Sequence, residues 1–231
     1  GASVYLCDID NLALNKIKKH PSYNKKIFAV YADASKESEV IKFFKNIKKK
    51  FKYLDCLINN VGIEGPTGPI EKLNSRDWVR TLYVNVVSHF YFTKQTIPLM
   101  KKSKHGSIIN IASGAGIMGF PLRSPYVASK WAIVGLTKTL AMELGKFKIR
   151  VNVICPGTIK GDRMKRVIRD KAKFTKISPK IIEDDFISMS SMKTWVAEED
   201  IGNMCAFLIS NEANKVSGQV IAVDGNTERM D

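Results

Sequence analysis

A tyrosine and a lysine four residues apart form the first pair of side chains whose spacing could do chemistry. Tyr126 and Lys130 lie in a segment with a helical pattern, so both would face the same side of one helix. A phenol ordinarily ionises near pH 10, too high for a base at neutral pH, but an ammonium one turn away favours the phenolate. The pair could therefore act as a general acid/base. In a chain with seven tyrosines and 37 lysine and arginine residues, chance also produces this spacing.

A serine at the end of a predicted strand adds to this pair. Ser113 closes the apolar run 107–113, at the carboxyl end of a strand that we expect to be parallel to its neighbours. Doubly wound sheets bind ligands at that edge, where a hydroxyl can donate a hydrogen bond to a substrate carbonyl. The alternative is that Ser113 only turns the chain ahead of Gly114 and Gly116.

Amides, glycine and proline mark two further strand ends and one helix. The run Asn59-Asn60-Val61-Gly62 ends one predicted strand, and Pro156-Gly157 turns the chain after another. Both could border a ligand, although ordinary turns use the same residue types. Asn85 lies within the apolar helical run 82–92, where asparagine is a poor helix former, and this favours a polar function for it.

The elements that must position these residues alternate along the whole chain. Near-continuous apolar strands separated by helices predict a parallel sheet covered on both faces, the doubly wound α/β architecture. The predicted strands are 3–7, 26–32, 56–59, 107–111, 150–154 and 219–223, and the predicted helices are 11–19, 37–50, 75–102, 125–146 and 198–210. We expect one domain over residues 1–231, with the irregular stretch 158–194 as a substrate lid within it.

Composition narrows the classes of function. The chain is 45% hydrophobic and has a net charge of +15, which would suit nucleic acid or an acidic protein as partner. The basic residues are spread widely without a nucleic-acid motif, so we favour solvated helix faces and predict no nucleic-acid partner. No apolar run suits a membrane span, and the scattered cysteines and histidines show no disulfide or metal-ligand spacing. We expect a cytoplasmic protein without membrane or metal.

Taken in order, these elements resemble the short-chain dehydrogenases/reductases. The resemblance rests on the Asn59–Gly62 run, Asn85, Ser113, the Tyr126/Lys130 pair and Pro156-Gly157, and it includes the thirteen-residue interval between Ser113 and Tyr126. It extends from Gly1 to about residue 228. Each motif is weak by itself, but the ordered set is very specific.

The resemblance implies a role for each position. Tyr126 would be the general acid/base, Lys130 would lower its pKa and bind the nicotinamide ribose, and Ser113 would polarise the carbonyl. Asn85 would hold a water that links Lys130 to solvent. The residues that would line the cofactor besides Tyr126 and Lys130 are Asn59, Val61, Gly62, Pro156, Gly157 and Ile159.

The choice of cofactor is expected to depend on Asp8, which ends the first predicted strand. A carboxylate there accepts hydrogen bonds from the adenosine ribose and repels a 2′-phosphate, which favours NAD over NADP. Asp8 could also be the N-cap of the following helix, and both roles can coexist. Asp33 resembles the family residue beside the adenine.

The sequence departs from the family pattern at its start. The family opens with a strand, a glycine-rich loop and a helix, whereas Gly1-Ala2-Ser3-Val4 matches the second strand of that pattern. Because the missing strand is central in the sheet, unpaired strand edges are expected inside it. We expect the sequence to be part of a longer chain; the alternatives are a wrongly assigned start or a naturally short protein.

The resemblance implies NAD-dependent interconversion of a secondary alcohol and a ketone by a homotetramer or homodimer, built on helices 75–102 and 125–146. An alternative is a 3-oxoacyl-[acyl-carrier-protein] reductase, whose acidic partner would suit the basic surface. A third interpretation is a cofactor-free remnant that acts as a binding or scaffold protein.

Overall fold

The computed structural model describes residues 1–103 and 105–227, and these residues alternate between strands and helices. The last residues of the expected domain, 228–231, lie outside the described part. The strands are β1 (Val4–Asp8), β2 (Ile27–Tyr31), β3 (Cys56–Asn59), β4 (Gly106–Ile111), β5 (Ile149–Pro156) and β6 (Val220–Val223). The helices are α1 (Asn11–Ile17), α2 (Glu37–Lys50), α3 (Ser75–Leu82), α4 (Ser88–Met100), α5 (Ser124–Leu144), α6 (Asp162–Thr175), α7 (Pro179–Ser188) and α8 (Glu198–Ile209).

All strand pairs of the described residues are parallel. Strands β3, β4, β5 and β6 form one sheet in that order, and β1 pairs with β2 in a second sheet. Since each parallel neighbour is reached through a helical connection, the predicted doubly wound α/β fold is confirmed.

The centre of the larger sheet is covered on both faces. Strand β4 is buried along its whole length. Ile108 packs with residues of α4 and α5, whereas its neighbour Ile109 packs with Cys205 and Leu208 of α8. Successive side chains of a strand point to opposite faces, so these contacts place helices on both sides of the sheet. The carboxyl ends of β4 and β5 therefore meet at one rigid edge.

The two sheets leave strand edges without a partner. Among the described strands, β1 hydrogen-bonds only to β2 and β3 only to β4. Val4 and Ile58, on these two strands, are each 45% exposed. Both sheets nevertheless share an apolar cluster built on α2, which includes Phe43 and Phe44. The unpaired edges match the expectation drawn from the missing first strand of the pattern.

Two local features differ from the sequence expectations. The helix expected over 75–102 contains a π-helical segment, Tyr83–Val87, between α3 and α4. The stretch 158–194 is largely helical, because the basic and apolar residues of α6 alternate at helical spacing. In the part of the chain that the structure describes, no helix has the length and apolar character that a membrane crossing requires.

Candidate active site

Tyr126 lies in the first turn of α5, beside the carboxyl end of β4. Burial by itself raises the pKa of Tyr126, but the nearby ammonium of Lys130 and a hydrogen bond with Ser113 oppose this effect. The guanidiniums of Arg163 and Arg123 act in the same direction, and the net pKa of the phenol lies below its ordinary value. The phenol can therefore give up and regain a proton nearer to neutral pH than a free tyrosine.

Lys130 is almost fully buried, one helical turn after Tyr126. Its Nζ donates a hydrogen bond of 3.0 Å to the carbonyl oxygen of Ile111 and lies 5.7 Å from the centre of the Tyr126 ring. Burial lowers the pKa of Lys130, while the neighbouring Tyr126 raises it in part. A buried ammonium with a single backbone partner retains donors for another group.

Ser113 follows β4, the strand at the centre of the site. Its Oγ accepts a hydrogen bond of 3.2 Å from the backbone nitrogen of Ala115, and its hydroxyl lies close enough to the Tyr126 phenol to lower the pKa of that phenol. The hydroxyl is thus held at the sheet edge within reach of the phenol. Such a pair can hold a carbonyl or alcohol oxygen between two hydrogen-bonding groups.

Asn85 is fully buried in the π-helical segment and connects two elements of the site. Its Oδ1 accepts from the backbone nitrogen of Ile63 at 2.7 Å, and its Nδ2 donates to the Ile63 carbonyl at 3.0 Å and to Ser129 Oγ at 2.9 Å. The side chain therefore fastens the loop after β3 to α5. π-Helical turns recur at functional sites, where they reposition side chains.

A cavity of about 610 Å³ lies at this edge of the sheet. Its volume is in the range of small-molecule sites. The predicted site residues that line it are Ser113, Tyr126, Lys130, Pro156, Gly157 and Ile159. The others, which lie outside its lining, are Asp8, Asp33, Asn59, Val61, Gly62 and Asn85.

The residues at the end of β3 and in the loop after it lie partly in the core and partly at the cavity. The amide of Asn59 points into the core, where Nδ2 donates to Asn110 Oδ1 at 2.9 Å, and it is the neighbouring Asn60 that lines the cavity. The carbonyl oxygen of Val61 lies 3.3 Å from Nε2 of His89. A side chain at Gly62 would begin 3.3 Å from Asn85 Oδ1 and 3.5 Å from Lys130 Nζ, so glycine leaves room beside the lysine.

The two aspartates predicted to contact adenosine lie at the carboxyl ends of β1 and β2, which are neighbours in the smaller sheet: Asp8 ends β1, and Asp33 comes two residues after β2. Asp8 is exposed, and its Oδ1 accepts from the backbone nitrogen of Asp10 at 2.9 Å. The N-cap of α1 is Asp10 rather than Asp8, because the Asp10 side chain accepts from the first helical nitrogens. Asp33 accepts from the nitrogen and the hydroxyl of Ser35 at 2.9 and 2.6 Å.

Several charged residues of the site were missed from the sequence. Arg123 stacks on the Tyr126 ring, with its Cζ 4.8 Å from the ring centre, and donates to the Glu64 carbonyl at 3.0 Å. On α6, Arg163 donates to the Gly62 carbonyl, and the Glu64 carboxylate pairs with both Arg163 and Arg166. Arg123 could have been identified from the sequence, because it lies three residues before Tyr126. No local feature of the sequence indicated that Glu64 belongs to the site.

The residues present suit the nicotinamide end of a dinucleotide. Pro156, Gly157 and Ile159 line the same cavity as Tyr126 and Lys130. Glycine is required at position 157, since a side chain there would begin 2.7 Å from Asp224 Cβ. An exposed carboxylate at Asp8 suits a ribose. The glycine-rich loop that would meet a pyrophosphate is not part of this sequence.

Comparisons with known proteins found a matching family model and similar sequences and structures. A family model described as enoyl-(acyl carrier protein) reductase matches residues 1–226. The chain is 33% identical over 195 residues to D-beta-hydroxybutyrate dehydrogenase of Rhizobium meliloti (strain 1021), covering 84% of this chain and 75% of that relative. It is similar to the structure of NAD⁺-bound xylitol dehydrogenase, with a TM-score of 0.91, 30% identity and coverage of 98% of this chain and 89% of the other. An actinorhodin polyketide ketoreductase with NADPH gives a TM-score of 0.89 at 26% identity, covering 96% of this chain and 85% of the other.

Proposed function

The chain belongs to the short-chain dehydrogenase/reductase family of oxidoreductases, and from that premise we propose that it transfers a hydride between NAD(H) and a secondary alcohol or ketone. The observation that carries the proposal is the Ser113 hydroxyl beside the Tyr126 phenol, with buried Lys130 next to them, in one cavity of ligand size. A remnant used only as a scaffold has no need to keep all three side chains in this arrangement.

Tyr126 moves the proton in this mechanism. In the direction of reduction, its phenol donates a proton to the substrate oxygen; in the direction of oxidation, the phenolate accepts it. Ser113 donates a hydrogen bond to the same oxygen and so holds the carbonyl against the phenol. A nicotinamide held in this cavity would supply the hydride to the carbonyl carbon in reduction and would take it from the alcohol carbon in oxidation.

Lys130 and Asn85 support the proton transfer. The Lys130 ammonium stabilises the phenolate. One of its N–H groups donates to the Ile111 carbonyl, and the remaining N–H groups suit the ribose of the nicotinamide half. Asn85 acts by positioning, since its bonds to Ile63 and Ser129 hold Gly62 beside Lys130. The water that the family resemblance assigns to Asn85 remains part of the proposal.

We propose NAD rather than NADP as the cofactor. The argument is Asp8, whose exposed carboxylate at the end of β1 would accept from ribose hydroxyls and repel a 2′-phosphate. Asp33 would border the adenine. Asn59 and Val61 would contribute backbone atoms, because the Asn59 amide is engaged in the core.

Reduction of a 3-oxoacyl thioester on acyl carrier protein is the second candidate. The net charge of +15 would suit that acidic partner, and the description of the matched family model names the same carrier. The relative solved with NADPH is a ketoreductase, so NADPH preference would accompany this candidate. Asp8 is the observation against it.

The remaining expectations also stay proposals. We propose a homo-oligomer built on α3, α4 and α5, which expose Val79, Phe90 and Trp131 by about half and Met142 by 85%. We propose that α6 and α7, in the stretch 158–194, close over the cavity that they help to line. The four free cysteines favour a reducing compartment such as the cytoplasm.

Titration with NADH and, in parallel, with NADPH tests the proposal through nicotinamide fluorescence. We expect NADH to bind with a micromolar dissociation constant and NADPH more weakly, with the preference reversed in Asp8→Arg. Tyr126→Phe should still bind NADH but lose ketone reduction by about a hundredfold or more. A folded protein that binds neither nucleotide, or a Tyr126→Phe variant that reduces ketones at the wild-type rate, would contradict it.

A further inference from the structure

Positive charge dominates the wall of the cavity. Among the described residues, five basic side chains line it and only two acidic ones, Asp162 and Glu198. Asp162 is already paired with Lys165 at 3.2 Å. The basic residues that line the cavity are Arg123, Lys130, Lys160, Arg163 and Lys171. A cavity wall with this balance attracts an anion more than a neutral molecule.

Apart from Lys130, Arg123 is the basic residue of the cavity wall that lies against Tyr126 and has no counter-ion among the described residues. It stacks on the Tyr126 ring and donates to a backbone carbonyl, and its Nε is buried without a hydrogen-bond partner in the described part of the chain. Within residues 1–103 and 105–227, no carboxylate forms an ion pair with it, since Glu64 pairs instead with Arg163 and Arg166. A partly buried guanidinium of this kind is favourable where a ligand supplies the opposite charge.

The second arginine adds to the same excess charge. Arg163 shares the Glu64 carboxylate with Arg166, so two guanidiniums have one counter-charge between them. Arg163 also reaches the Gly62 carbonyl, next to Lys130. The positive charge is therefore concentrated on the side of the cavity that contains Tyr126.

We propose that Arg123 is a specificity-determining residue that binds a carboxylate of the substrate, so that the substrate is a short oxo or hydroxy acid. The Cζ of Arg123 lies 4.8 Å from the centre of the Tyr126 ring. A substrate carboxylate bound to Arg123 would be only a few bonds away from the substrate oxygen bound to Tyr126. The substrate is therefore limited to an acid whose oxo or hydroxyl group is near its carboxylate. This inference rests on the proposed function, because it takes the Tyr126 end as the reacting end.

Calorimetric titration with acetoacetate and acetoacetamide tests the inference, since the two compounds differ in charge but hardly in shape. The titrations use the wild type with and without NAD⁺, which cannot reduce either compound. The variant is Arg123→Gln, and the matched control is Arg169→Gln, an exposed arginine on α6 outside the cavity lining. We expect the wild type and Arg169→Gln to bind acetoacetate at least about tenfold more tightly than the amide, and Arg123→Gln to lose that preference.

Equal affinities in the wild type, no measurable binding of acetoacetate, or an unchanged preference in Arg123→Gln would each overturn the inference. A general change in fold would alter the affinity for both compounds, whereas loss of the charge contact alters their ratio. Hydride transfer is measured separately with NADH and each compound. Selective binding of acetoacetate without turnover would contradict the proposed function but support the anion site. Equal turnover of both compounds would support the proposed function but contradict the anion site.

Discussion

Replacing Lys130 by methionine tests the electrostatic part of the proposed mechanism. Methionine keeps most of the length of the side chain but removes the ammonium. The Nζ of Lys130 lies 5.7 Å from the centre of the Tyr126 ring. With an effective dielectric constant of about 20, Coulomb's law gives about 3 kcal/mol of attraction between the ammonium and the phenolate. The phenolate population at a given pH should then fall by about a hundredfold.

NMR of ring-labelled tyrosine, followed across a pH titration, measures this effect without any substrate. The chain has seven tyrosines, and the signal that disappears in Tyr126→Phe identifies the relevant one. In the wild type the pKa of Tyr126 should lie below its ordinary value, because Lys130 and Ser113 outweigh the effect of burial. In Lys130→Met that pKa should rise markedly, and the pH at which alcohol oxidation becomes fast should rise with it.

Lys138→Met provides the matched control, since it makes the same substitution at an exposed lysine of α5. The Tyr126 titration should be unchanged in that variant. A Tyr126 titration that does not move in Lys130→Met, or that moves equally in Lys138→Met, would refute the assignment of the shift to this ammonium.

Two further predictions concern buried polar residues. Asn85→Ala should destabilise the fold by about 3 kcal/mol in urea unfolding, because it leaves the partly buried backbone N–H and C=O of Ile63 without their partners. The exposed Asn214→Ala control should change the stability little, and a similar loss in both variants would contradict the role of Asn85. Burial holds the pKa of His89 at about 3. As the pH falls, His89 is therefore protonated in the unfolded chain before it is protonated in the folded protein. Between about pH 6.5 and pH 3, the free energy of unfolding should fall by roughly 1.4 kcal/mol per pH unit because of this residue. Urea unfolding of His89→Gln across that window should show a shallower slope, and an equal slope would show that His89 is not held neutral.

The stretch 158–194 was harder to predict than the strands. Strand β3 and helix α2 occur over the predicted residues, because apolar runs and helical periodicity are local properties of the sequence. The stretch 158–194 was expected to be irregular, yet it forms α6 and α7. The many charged residues in it weaken the apolar pattern, and contacts with the rest of the cavity wall select the helices.

The full ordered set of strand-end and helix motifs, with Ser113, Tyr126 and Lys130 among them, was enough to indicate a short-chain dehydrogenase/reductase and its α/β fold. Strand ends and a helical interval of four residues are properties of local sequence. The sequence did not indicate that Glu64 pairs with Arg163 and Arg166 of α6. These contacts join residues up to 102 positions apart. They exist only because parallel strands bring distant loops to the same edge of the sheet, and that arrangement is decided by tertiary packing.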